Sequence, residues 1–185
     1  MIPIPNLQAL VDERQKHWKE LVDKHFPPEG TDFTLVVLKA HMLIEQYLNA
    51  LIIRHCGHPE HIEDIRFQYK DKITLVKALM TFALADQVWE GVLLINTLRN
   101  ALAHNLESPN LQNHKANLRR LANGIPYSIP NINANTEYGA LYTVYAFCQL
   151  HLGLTETLMG PIVEQAREQL RATMTVAFAP KPKKA

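Results

Sequence analysis

One largely apolar segment, Val92 to Asn105, carries four side chains capable of chemistry: Asn96, Arg99, Asn100 and His104. On a helix, Asn96, Asn100 and His104 fall at i, i+4 and i+8 and form a single polar stripe. Arg99 stands beside it, about 100° from Asn100 and about 140° from His104, within swing of the imidazole. Leu94, Ile95, Leu98, Ala101 and Leu102 take another side. Amides with an Arg and a His, rather than Lys and Glu, suit a recessed or shared surface. Histidine exchanges a proton near neutral pH and can serve as general base or acid. Arginine stays charged and grips phosphate with a planar fork of donors. Asparagine holds an oxygen or orients a neighbour. Together they suffice for metal-free phosphoryl transfer on RNA. A base removes the 2′-hydroxyl proton, that oxygen attacks the adjacent phosphorus, and the cation steadies the developing charge. The same residues also fit a capped helix end, with His104 facing the C-terminal dipole.

The elements that must position this stripe are helices, since apolar residues recur at spacings of three and four. The first is expected over Leu7 to His25, with Asn6 as N-cap and Pro27-Pro28 as the stop. The second runs from Thr31 or Asp32 to Cys56, with Gly57 ending it. Gly57 to Tyr69 reads as a connector holding at most one short helix. A third helix fits Asp71 to Leu84, and a fourth fits Asp86 to about Leu106. The fifth has Ser108 as N-cap, Pro109 at its first position and Gly124 beyond its end. Ile125 to Asn135 is a loop. One or two further helices occupy Glu137 to Phe178, where Gly153 offers a break and Gly160-Pro161 a kink or restart. Residues 180–185 form a short basic tail, expected to be mobile. No two-residue alternation or hairpin turn appears. The expected fold is an all-α, up-and-down bundle of about six or seven helices in one domain over residues 1–179.

Length and composition agree. A chain of 185 residues with 47% hydrophobic and 20% charged content suits one globular domain. The net charge of +1 excludes a strongly basic coat, so any nucleic-acid contact must come from a local patch. Two cysteines, Cys56 and Cys148, do not make a disulfide framework, and sequence alone leaves a single bridge between them open. Met1 to Asn6 lacks a basic region followed by an apolar core, and no uninterrupted apolar run reaches the ~18 residues of a membrane span. A soluble, cytoplasmic chain is expected, without membrane contact.

Arg99-Asn100-Ala101-Leu102-Ala103-His104 resembles the signature of HEPN-domain proteins, an Arg, a polar residue and, a turn later, a His. Those proteins often carry an acidic residue in an early helix, for which Glu45 in His41-Met42-Leu43-Ile44-Glu45-Gln46-Tyr47-Leu48 is the candidate. Many also have an aromatic and a lysine ahead of an apolar helix, as in Phe67 to Leu75. The resemblance spans about Phe33 to Asn105, with the core of the domain placed over residues 33–124 and extra helices over 136–179. It implies an α-helical homodimer in which two motif helices face one composite cleft, and a metal-independent endoribonuclease acting on single-stranded RNA, in a toxin or phage-defence role. By that resemblance His104 is the general base or acid, Arg99 the phosphate clamp and Asn100 the positioning residue, with Glu45 orienting or neutralising Arg99. Toxins of this group that pair with a nucleotidyltransferase antitoxin commonly have a Tyr two residues after the His, where this chain has Leu106. Members that have lost catalysis set the alternative: a silent dimeric module that binds RNA or a regulatory protein. A purely structural oligomeric bundle is a third.

Other features have plainer readings. Glu45 also fits a buried carboxylate paired with any cation, or an exposed residue between core positions. Lys115, Arg119 and Arg120 make a basic strip on the fifth helix, either a solvated face or an RNA-guiding rim. His55-Cys56-Gly57-His58-Pro59-Glu60-His61 holds metal-capable side chains in one cluster only, so a solvated loop is expected, with no metal and no cofactor. Tyr138, Tyr142, Tyr145 and Phe147 suit core or dimer packing, and Trp18 and Trp89 suit core or interface anchors.

Overall fold

A computed structural model describes residues 7–62, 65–80, 84–104, 110–126 and 128–177. Six helices pack against one another: α1 (Leu7–His25), α2 (Phe33–His55), α3 (Tyr69–Leu79), α4 (Asp86–His104), α5 (Leu111–Asn123) and α6 (Glu137–Ala177). The chain is an all-α bundle, and no strand occurs among the described residues. Asn6, Ser108, Pro109, Leu106 and the basic tail 180–185 lie outside the described residues.

Local chemistry sets most of the boundaries. Asp32 caps α2 by accepting the Leu35 N–H at 3.2 Å, and Cys56 rather than Gly57 closes it. α3 begins two residues earlier than its apolar pattern predicts, because the Asp71 carboxylate takes the Gln68 N–H at 3.0 Å. It closes at Met80 instead of reaching Leu84. α5 starts at Leu111 with Asn110 as its N-cap, two residues later than the expected N-cap Ser108, and ends at Gly124, as expected.

The core lies where α2, α4, α5 and α6 meet. Val36, Ala40, Ile44 and Leu48 of α2 are fully buried with Val92, Ile95 and Leu98 of α4, Leu118 of α5, and Leu141 and Val144 of α6. α4 approaches α6 at Gly91, where an added Cβ would stand 2.6 Å from Cys148 Sγ and 3.0 Å from Val144 Cγ1. Only a residue without a side chain permits that spacing. By length and composition α2 could cross a membrane, yet 56% of its most apolar window is packed inside the bundle.

α6 is the largest departure from expectation. It runs unbroken for 41 residues, straight through Gly153 and Gly160-Pro161. Proline removes one backbone donor and disfavours helix, but ties to the end of α2 hold α6 on both sides of it. Arg54 Nη2 donates to Glu156 Oε1 at 2.7 Å, and its guanidinium fits against Gly160, where a Cβ would meet Arg54 Cζ at 3.2 Å. Beyond the proline, Arg167 donates to the carbonyls of Arg54, at 2.9 Å, and of Cys56. These are carbonyls that the end of α2 leaves without helical partners.

The aromatic run packs inward. Phe26 stacks on Tyr145 with centroids 4.7 Å apart and meets Tyr142 edge-on at 5.1 Å. The Tyr138 hydroxyl donates to the Pro27 carbonyl at 3.1 Å, closing the turn after α1. Trp89 is buried beneath Lys77, whose ammonium lies 5.0 Å from the ring centroid. The Trp18 side chain lies outside the described set.

Candidate active site

At Asn96 the polar face of α4 turns into the bundle. Asn96 is buried, and its Oδ1 lies 3.2 Å from Nε2 of His41, itself buried on α2. An amide oxygen only accepts, so the imidazole donates and carries its proton on Nε2. Its other nitrogen, Nδ1, is 4.0 Å from Glu45 Oε2, one helical turn along α2. Tyr69, the first residue of α3, stacks flat on the His41 ring at 4.3 Å and 26°. Lys72, one turn further along α3, donates to Glu45 Oε1 at 2.6 Å. Helices α2, α3 and α4 thus each give two side chains to one cluster: His41 and Glu45, Tyr69 and Lys72, Asn96 and Arg99.

Arg99 and Asn100 are half-buried, and the Arg99 Nη1 donates to Asn100 Oδ1 at 2.9 Å. Adjacent residues on a helix seldom face each other, so this bond turns the guanidinium along the helix surface. Arg99 also lies close enough to His41 for its charge to act on the imidazole. Burial is the main cause that lowers the His41 pKa; Arg99 and Lys72 push the same way, against the Asn96 bond and the Glu45 charge. His41 is therefore neutral near pH 7. Burial also pushes the Tyr69 phenol well up, and its hydroxyl is buried without a hydrogen-bond partner among the described residues.

Some expected site residues come together here and others do not. Glu45 and Arg99 belong to the cluster, and Asn100 borders it through Arg99. Glu45 is paired with Lys72 rather than with Arg99, which is engaged by Asn100. The partner of this carboxylate is Lys72, the second of two lysines in the Phe67-to-Leu75 segment. His104 closes α4, but its side chain lies outside the described set. The basic strip on α5 is largely spoken for. Lys115 pairs with Glu137 Oε2 at 2.8 Å and lies 4.8 Å above the Phe33 ring, while Arg120 pairs with Glu90. Arg119 has no carboxylate partner among the described residues. His41 is the member that motif matching alone passes over. Its signal is a histidine at the i−4 position of a glutamate within an apolar helix.

The arrangement can hold a guanidinium at fixed orientation beside a neutral imidazole and a lysine–glutamate pair. Glu45 neutralises Lys72, which leaves Arg99 as the cation this group offers an anionic substrate. No protein-family model, curated protein or solved structure matches this chain.

Proposed function

We propose that this chain is a HEPN-like, metal-independent endoribonuclease that cleaves single-stranded RNA as a cytoplasmic homodimer, in a toxin or phage-defence setting. The observation that supports this reading best is the posture of Arg99, half-buried, directed by Asn100 and set beside a neutral imidazole. In the proposed reaction Arg99 binds a non-bridging phosphate oxygen. His104, at the end of the same helix, takes the proton from a ribose 2′-hydroxyl. The O2′–P bond forms as the P–O5′ bond breaks, and the departing O5′ takes up a proton. The products are a 2′,3′-cyclic phosphate and a 5′-hydroxyl. His41, Glu45 and Lys72 position the floor behind Arg99 and take no proton in the reaction.

The test is cleavage of a labelled, mixed-sequence single-stranded RNA in EDTA, with wild type and His104→Ala side by side. Cleavage by wild type alone, leaving cyclic phosphate ends, supports the proposal. A second reading is a catalytically silent dimeric module that binds a regulatory protein. It is favoured by the neutralised α5 strip and by the exposed apolar residues Leu35, Leu38 and Met42 on one stripe of α2. No cleavage by either protein, with a folded dimer in hand, decides for that reading.

A further inference from the structure

Between α2 and α3 the chain makes a single 3-10 turn, Pro59–His61, with His58 as its N-cap. Backbone bonds from His61 N to His58 O, at 3.2 Å, and from Ile62 N to Pro59 O, at 3.0 Å, close it. Pro59 fixes the first φ of the turn. In 3-10 geometry residues i and i+3 eclipse, which brings His58 and His61 to the same side. Their rings stand 5.8 Å apart, and Glu60 reaches between them. Its Oε1 lies 3.0 Å from His58 Nδ1 and 4.0 Å from His61 Nε2. The three ligand atoms all fall within 4.8 Å of one another. Donors on a tetrahedral zinc ion, with bonds of about 2.0–2.2 Å, are separated by about 3.4 Å. Small shifts of these exposed side chains, widening the 3.0 Å His58–Glu60 pair and drawing His61 in, reach that spacing.

From this geometry we infer that His58, Glu60 and His61 form an open binding site for a divalent transition-metal ion, of the zinc class, on the α2–α3 connector. The donor set is suited to such an ion. Imidazole nitrogens with one carboxylate favour zinc, nickel or copper over calcium and magnesium, which require oxygen cages. Three protein ligands leave a further position on the ion for water or for another molecule's side chain. In sequence, His55 to His61 counts as one cluster of metal-capable side chains against the two separated pairs of a structural zinc site, which is why a solvated loop is expected there. The turn brings His58, Glu60 and His61 of that cluster together. The same connector supplies Ile62, Ile65 and Phe67 to a cleft of about 290 Å³ against Ile52 and Ile53 of α2. An ion on the turn would clamp one end of that wall. The site stands apart from Arg99 and takes no part in the proposed RNA cleavage.

The test is calorimetric titration of the full chain with zinc chloride at about pH 7.5, in wild type and in His58→Ala, Glu60→Gln, His61→Ala and Cys56→Ser. All three ligands are exposed, so their variants keep the fold. The expected result is one saturable site in wild type, weakened at least about tenfold in each ligand variant, as removing even an outer-shell partner does. Cys56→Ser leaves it unchanged. Absence of a saturable site overturns the inference, as does binding of undiminished affinity in either histidine variant. Loss in Cys56→Ser overturns it in favour of a thiol-containing site.

Discussion

His41 on α2 donates its Nε2 proton to Asn96 on α4 across 3.2 Å, with both side chains buried and the Tyr69 ring lying against the imidazole. This bond crosses two helices separated by 55 positions in the chain, and it fixes how α4 is rotated in the bundle. The rotation places Asn96 inward, and with it sets where Arg99 and Asn100 stand. A polar link in an apolar seam specifies register because every other alignment leaves a donor unpaired.

Asn96→Ala strands the His41 N–H in the core. An unsatisfied buried donor costs about 1–3 kcal/mol, so the urea midpoint falls while the m-value holds. The double variant His41→Phe, Asn96→Leu recovers part of the loss, because removing both partners leaves nothing unpaired. Equal loss in single and double variants would deny the bond its role in register.

Acid weakens the fold through the same imidazole. The folded pKa of His41 lies below the ordinary value of 6.5, so the unfolded chain takes up the proton first as pH falls. The stability that neutral His41 contributes is complete above about pH 6.5 and is lost as pH falls from there through the folded value. In His41→Gln this component disappears. The difference in unfolding free energy between wild type and variant, followed from pH 7.5 to 5, therefore shrinks on acidification. A difference independent of pH would count against a neutral buried His41.

Tyr69→Phe is expected to leave the fold as stable or to raise its Tm. The phenol hydroxyl is buried without a partner among the described residues, so its removal relieves a desolvation penalty of about 1–3 kcal/mol and keeps the stacked ring. A lower Tm would mean that the hydroxyl is satisfied in solution.

Gly91→Ala puts a methyl against the Cys148 sulfur, within 2.6 Å. Overpacking of this kind costs about 1–3 kcal/mol. Cys148→Ala in the same chain gives room back and restores part of the stability, leaving Val144 Cγ1 as the residual contact. A double-variant cycle by chemical denaturation reads this coupling directly.

Arg99→Lys keeps the charge and loses the planar fork that reaches Asn100. If RNA cleavage is the activity, the expected outcome is a fall in kcat of about 10²-fold or more, of the size seen when one preorganised donor to a developing oxyanion is removed. Cleavage at the wild-type rate would remove Arg99 from the reaction.

Local signals carried much of this fold. The bounds of α1, the Asp32 cap and the Gly124 stop depend on neighbours within four residues, and periodicity with capping chemistry suffices for them. The continuity of α6 does not. Gly160-Pro161 argues for a break until Arg54 and Arg167 tie it to α2, more than a hundred residues away in the chain. The site divides the same way. The residue types of Arg99 and Asn100 are plain in the sequence, whereas the choice of Lys72 for Glu45 depends on how α3 lies beside α2. Lys115 likewise looks like a free cation until Glu137 and Phe33 are brought to it.

The fit of Cys148 against Gly91 has a practical consequence. Its thiol is fully enclosed, donates to the Val88 carbonyl at 3.4 Å and is held far from ionisation by burial, while Cys56 is only half-covered. An alkylating reagent would modify Cys56 in the closed chain and wait for α4 and α6 to part before reaching Cys148. The bundle therefore carries an internal stopwatch, and the lag between the two adducts times the opening of its core.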